Sequence, residues 1–303
     1  MRGGSPVRGT RLLLAGRRRC SASKSLTKSA GPLAGEVQEA HRALTELLAP
    51  GGALHQAPAI LGTYFDDAAI IRTAHQYMET TQRGVIQDGR AVVVSAGPPA
   101  AGKSSVLNGL HLAGYRLIDP DAAKDLLLHD ADAHGLLDYR SGVLLPDGEP
   151  VKVRELASHV HHASTRVADI VRSLAMAAGE NIIIDGTLRW EPLGQLYVDE
   201  LFAHGYAGID VVDVEVPLKT ALKRARQRWW DGRRHSPAGG RFVPEDAIRA
   251  CYGANPNESL SAANAMQLAQ DAAEGLGHGS LRRFDVDPQS QVPVQTRYTI
   301  FGT

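Results

Sequence analysis

Apolar residues recur at helical spacing from 36 to 50. Val37, Ala40, Ala43, Leu44, Leu47 and Leu48 share one face there, until Pro50-Gly51-Gly52 stops the pattern. A second helix is expected over 64–82, with Ala68, Ile71, Ala74 and Met78 on one face. The period then changes. Ala91-Val92-Val93-Val94-Ser95-Ala96 is a short, almost wholly apolar run rich in β-branched residues and reads as a buried strand. Arg116–Asp119, Asn181–Asp185 and Gly208–Val216 read as further strands. Helices are expected over Ser104–Ala113, from near Ala122, over about Leu156–Ala178, over Leu193–His204, and from Pro217 to about Trp230. Residues 231–241, rich in Gly, Arg and Pro, read as a mobile loop, and Pro244–Ala250 begins another helix. Leu281–Val286 and Gln295–Ile300 read as two closing strands.

Strands alternating with helices imply an α/β fold, a mostly parallel sheet with helices on both faces. Ligands in such sheets sit at the carboxyl ends of the strands. Gly97, Asp119 and Asp121, and Asp185 to Arg189 all fall at those ends. The expected organisation is a disordered basic tail over 1–35, N-terminal helices over 36–90, and one α/β domain over 91–303.

Composition narrows the function classes. The formal net charge is zero, which argues against a nucleic-acid or membrane-surface partner. No run approaches the apolar length of a membrane span. Cys20 and Cys251 give neither a disulfide framework nor metal-ligand spacing, and they fit a reducing, cytoplasmic setting. The stretch before Glu36 is basic and acid-free, which reads as a disordered tail or a start codon placed too early.

Gly97-Pro98-Pro99-Ala100-Ala101-Gly102-Lys103-Ser104 satisfies G-x-x-x-x-G-K-[ST], between a buried strand and a helix. In this setting the loop is a phosphate cradle, with Ser105 continuing it into the helix. Backbone N–H groups point at phosphate oxygens, and the helix N-terminus adds positive partial charge. Lys103 places a cation on the β/γ-phosphates of ATP, and the Ser104 hydroxyl is offered to Mg²⁺.

Asp121 follows the second strand, where a carboxylate can face the γ-phosphate and act as general base toward an acceptor hydroxyl. Asp119 is the rival, and either acid can instead cap the helix that follows. Asp185 ends an apolar strand, as a Walker-B carboxylate holding Mg²⁺ does. Asp169 lies within a helix of Ala, Val and Ile. His159, His161 and His162 read as surface or substrate-cleft residues without zinc-ligand spacing. Lys223, Arg224, Arg226, Arg228, Arg233, Arg234 and Arg241 flank the expected loop and can close over a triphosphate. Trp229-Trp230 can pack that loop or stack on a base.

Taken in order, these motifs resemble the zeta toxin family of P-loop kinases. The resemblance rests on Ile118-Asp119-Pro120-Asp121, Asp185-Gly186-Thr187-Leu188-Arg189, Val216-Pro217 with Arg228, and Arg241-Phe242-Val243-Pro244, and covers roughly Ala91 to Tyr252. It implies Asp121 as base, Lys103, Arg228 and Arg241 on the phosphates, and Asp169, Thr187 and Arg189 toward the substrate. It also implies ATP, Mg²⁺, a UDP-N-acetylglucosamine hydroxyl as acceptor and an antitoxin as protein partner. The sequence departs from the family at Ala100, where Gly is usual, and at Asp169 and Asp185, where Glu is usual. Two other readings stay open on the residues: another acceptor, such as an antibiotic hydroxyl or a dinucleotide ribose, and a slow ATPase switch.

Overall fold

The run Val92–Ala96 forms β1, buried along its whole length, at the centre of a six-stranded sheet. The computed structural model describes residues 34–287 and 289–302. Nearly all of the expected tail, and Cys20 with it, lies outside the described residues. The remaining strands are β2 (Arg116–Ile118), β3 (Ile182–Ile184), β4 (Ile209–Glu215), β5 (His278–Val286) and β6 (Pro293–Gly302). Their order is β2-β3-β1-β4-β5-β6. All neighbours are parallel except β5 and β6, which run antiparallel. Val93 pairs with Ile183 on one side and Asp210 on the other. Both sheet faces are covered, as an α/β fold requires, so the central strands read as near-continuous apolar runs. The chain leaves β1 toward β2 on one side and later fills β4 on the other. That reversal opens a crevice at the strand ends.

The helices are α1 (Ala34–Leu48), α2 (Ala59–Tyr64), α3 (Asp67–Thr80), α4 (Lys103–Gly109), α5 (Pro120–Ala133), α6 (His161–Ala177), α7 (Leu193–Ala203), α8 (Leu218–His235), α9 (Glu245–Arg249) and α10 (Leu260–Leu276). No described helix is long and apolar enough to cross a membrane.

Several elements differ from the sequence reading. The helix expected over 64–82 starts at Asp67, because Asp66 caps α3 by accepting a hydrogen bond from the Ala69 amide at 2.8 Å, and the short α2 before it was not expected. Its buried face is Ala69, Ile70, Ala74 and Tyr77, whereas Ile71 is exposed. Tyr77 sets this rotation: its hydroxyl donates to the Leu117 carbonyl and accepts from the Asp119 amide. The helix expected over Leu156–Ala178 is a 3₁₀ segment, Val153–Val160, kinked at Leu156 and followed by α6. The expected loop 231–241 begins as helix, since α8 continues to His235. Arg233 explains the extension. It is buried and bonds Asp147 at 2.7 Å and Glu155 at 2.8 Å, so the last turn is held by tertiary ion pairs that local composition does not reveal. Trp229 and Trp230 are both buried, and the Trp229 indole N–H donates to Glu155, so neither is available to stack on a base.

Toward the end of β4, Asp213 is buried and no donor among the described residues reaches either carboxyl oxygen. Burial, and then the Glu215 carboxylate on the same strand face, push its pKa up to about 8. The folded chain therefore holds a proton that the unfolded chain releases above its ordinary value of 3.8. Stability falls as pH rises from about that value toward 8. Asp213→Asn keeps the size of the side chain and removes the titration. The variant should melt above the wild type by about 1–3 kcal/mol at pH 8, with the gap shrinking toward pH 5. A gap that is constant across this range, or reversed, would refute the assignment.

Candidate active site

The chain leaves β1 into a loop whose backbone is unusual at three positions. Gly97, Ala100 and Gly102 have φ of 128°, 64° and 109°. At Gly97 a Cβ would collide with the Val214 carbonyl oxygen, so only glycine lets the loop lie this close to β4. Ala100 adopts the left-handed region although it carries a Cβ, at the position where the related pattern has glycine. Lys103 begins α4 and folds back over the loop, its Nζ donating to the Gly97 carbonyl at 3.0 Å and the Pro98 carbonyl at 3.4 Å. Those neutral carbonyls orient the cation without cancelling its charge.

A cleft of about 920 Å³ opens over this loop. Pro99, Ala100, Ala101, Gly102, Lys103, Ser104 and Ser105 form its floor, while Gly97 and Pro98 are buried and do not line it. Asp119, Asp121, Asp185, Thr187, Arg189, Arg228 and Arg241 line its walls. Asp185 accepts a hydrogen bond from the Ser95 hydroxyl, which in turn accepts one from the Gly186 amide at 3.2 Å. The carboxylate is thus held at the end of β3, lining the same cleft as Ser104.

Asp119 is the N-cap of α5, accepting the Asp121 amide at 2.8 Å. Asp121, in the first turn, is bound by Lys124 at 2.9 Å and by Arg241 at 2.8 Å. The two acids titrate apart. Burial, then the charges of Asp185 and Asp121, push Asp119 up to about 6. Burial also acts to raise Asp121, but Lys124 and Arg241 more than offset it, and its pKa falls below the usual value. Arg241 further bonds Asp125 at 2.9 Å. Arg228 is different. It is exposed to the cleft and has no carboxylate partner among the described residues. Arg224, one turn earlier on α8, donates to the Ala101 carbonyl at 3.1 Å and so ties α8 to the phosphate loop.

Asp169 is not brought to the cleft. It is exposed on α6 and paired with Arg172 at 2.9 Å. Thr165 and His161, one and two turns earlier on the same stripe of α6, line the cleft instead. His159 does not, because its ring bonds Tyr139 and the Leu54 carbonyl inside the protein. Lys124, Ser158 and Thr165 were missed as cleft residues. Their signal was helical spacing from Asp121 and His161, which becomes visible only once α5 and α6 are known to face each other.

Comparisons with known proteins follow the same line. The family model described as Zeta toxin matches residues 76–273. The Arabidopsis thaliana protein called calmodulin calcium-dependent NAD kinase is 30% identical over 108 residues, which is 36% of this chain and 20% of that protein. The match thus spans about a fifth of that relative's length. A solved structure of the PezAT chromosomal toxin–antitoxin system of Streptococcus pneumoniae is similar over 76% of this chain and 80% of its own. It has a TM-score of 0.50 and 12% identity, a likeness of fold.

Proposed function

The chain belongs to the zeta toxin family, and from that premise we propose that this ATP-dependent kinase phosphorylates a hydroxyl of UDP-N-acetylglucosamine. The observation that carries the reading is one cleft with two kinds of wall. One kind is basic: the phosphate loop with Lys103, and Arg228, neither cation in an ion pair among the described residues. The other is acidic, the carboxylates of Asp119 and Asp121 at the start of α5. A triphosphate laid on the loop neutralises the cations, and the acids face the transferring phosphoryl group. Asp121 orients the acceptor hydroxyl and takes its proton. Arg228 and Arg241 balance the charge of the transferring group. Thr187 and Arg189, with His161 and Thr165 opposite, hold the acceptor. Ser104 and Asp185 are hard oxygen donors lining one cleft, a set that suits Mg²⁺, which when bound would spread the charge of the β- and γ-oxygens.

The name of the Arabidopsis relative supports a second acceptor, the ribose hydroxyl of a dinucleotide. Toxin action in the cytoplasm, restrained by an antitoxin partner, completes the reading. The test is to incubate the chain with ATP and either UDP-N-acetylglucosamine or NAD, and to read the mass of each acceptor. Gain of one phosphoryl group identifies the acceptor, and Lys103→Ala should abolish the gain while the protein stays folded. Transfer undiminished in that variant would sink the phosphate-loop assignment, and an acceptor of unchanged mass is excluded.

A further inference from the structure

The turn that carries Thr187 and Arg189 is strained. Leu188 has φ of 49°, in the left-handed region that costs a bulky residue free energy. Its side chain is buried at 2% exposure, while Thr187 and Arg189 on either side line the cleft. Something outside the turn must hold it. Asn264 of α10 does so: its Nδ2 donates to the Leu188 carbonyl at 2.8 Å and to the Arg189 carbonyl at 3.0 Å. A primary amide has one N–H for each. On the other side the Thr187 carbonyl accepts the Gly97 amide at 3.3 Å. The turn is therefore clasped between α10 and the phosphate loop. The start of α10 is itself anchored, since the Ser259 amide and hydroxyl both donate to buried Glu215.

Asparagine within a helix is a weaker former than alanine, so its place on α10 is explained by what its side chain holds. We infer that Asn264 is a positioning residue for the acceptor, acting through Leu188 to aim Thr187 and Arg189. This rests on the reading that those two residues contact the acceptor.

The test uses the full chain with Asn264→Ala, Asn264→Asp, which has the same shape but no N–H donor, and Asn264→Gln, which keeps both donors. In the ligand-free protein, the amides of Gly97 and residues 186–190 should exchange about tenfold faster in the Ala and Asp variants, with the rest of α10 and the sheet unchanged. In kinetics with the acceptor identified above, KM for that acceptor should rise about tenfold. KM for ATP and kcat should stay near wild type, and Asn264→Gln should recover part of the loss. Faster exchange spread across α10 and the sheet would make Asn264 merely structural and overturn the inference. So would local loosening with an unchanged acceptor KM. If the wild-type chain phosphorylates neither UDP-N-acetylglucosamine nor NAD, the acceptor reading fails, while unchanged exchange at Gly97 and 186–190 would separately overturn the clasp.

Discussion

Asp121→Asn should lower phosphoryl transfer by roughly 10²- to 10⁴-fold while ATP binding survives. Lys124 and Arg241 use different oxygens of Asp121, so asparagine keeps an acceptor for one of them and turns an N–H toward the other; it cannot take a proton as a carboxylate does. The fold should be nearly indifferent, because Asp119, not Asp121, caps α5. Asp119→Asn is the paired control, since asparagine caps about as well as aspartate. Product formation and a thermal melt for each variant decide the matter. Full activity in Asp121→Asn with loss in Asp119→Asn would move the base to Asp119, whose pKa near 6 would then appear as the acid limb of the pH profile. Full activity in both would leave the cleft without the acceptor chemistry assigned to it.

Arg228→Ala should lower kcat by at least roughly 10³-fold, with nucleotide affinity falling much less. Arg228→Lys should recover little, because an ammonium cannot reproduce the planar fork of a guanidinium. The structure separates this residue from Arg241, although the two look equivalent along the chain. Arg228 has no carboxylate to leave, whereas Arg241 must exchange Asp121 and Asp125 for phosphate. Loss of Arg241 therefore frees Asp121 as well as removing a cation, and its effects on kcat and on the pH profile should not superimpose on those of Arg228. Equal losses in ATP affinity and kcat/KM at Arg228, with kcat unchanged, would make it a uniform binding residue instead.

The phosphate loop, the central strands and the strand-end acids were legible because each is a local signal. Valine runs, glycine spacing and an Asp at a strand end need no knowledge of the rest of the chain. What depended on partners was not legible. α10 was missed: its Ala-, Asn- and Gln-rich sequence carries only weak periodicity, and its clearest marks are the Ser259 cap and Gly277 at its end. The face of α3 was misjudged by one residue because Tyr77, with its polar tip, is what that helix buries. The role of Asn264 could not be read at all, since its partners are carbonyls more than seventy residues away. The end of α8 was hidden for the same reason, because Asp147 and Glu155 lie far from Arg233 in sequence.

That last turn of α8 also limits how the mouth of the cleft can move. Gly232 and Gly240 lie so close that a Cβ on Gly232 would meet the Gly240 Cα at 2.5 Å, and Gly239 packs on Lys152. Lys152 also donates to the Arg233 carbonyl at 2.7 Å. The backbone leading to Arg241 is thus moored along both its flanks. Phe242, just past it, is wedged against His41 of α1 and Trp229. A hinged lid of this kind would swing in microseconds to milliseconds, whereas freed side chains turn in picoseconds to nanoseconds. With the rim moored and Arg241 held by Asp121 and Asp125, the exposed guanidinium of Arg228 is the group at the mouth whose rearrangement needs no more than side-chain rotation.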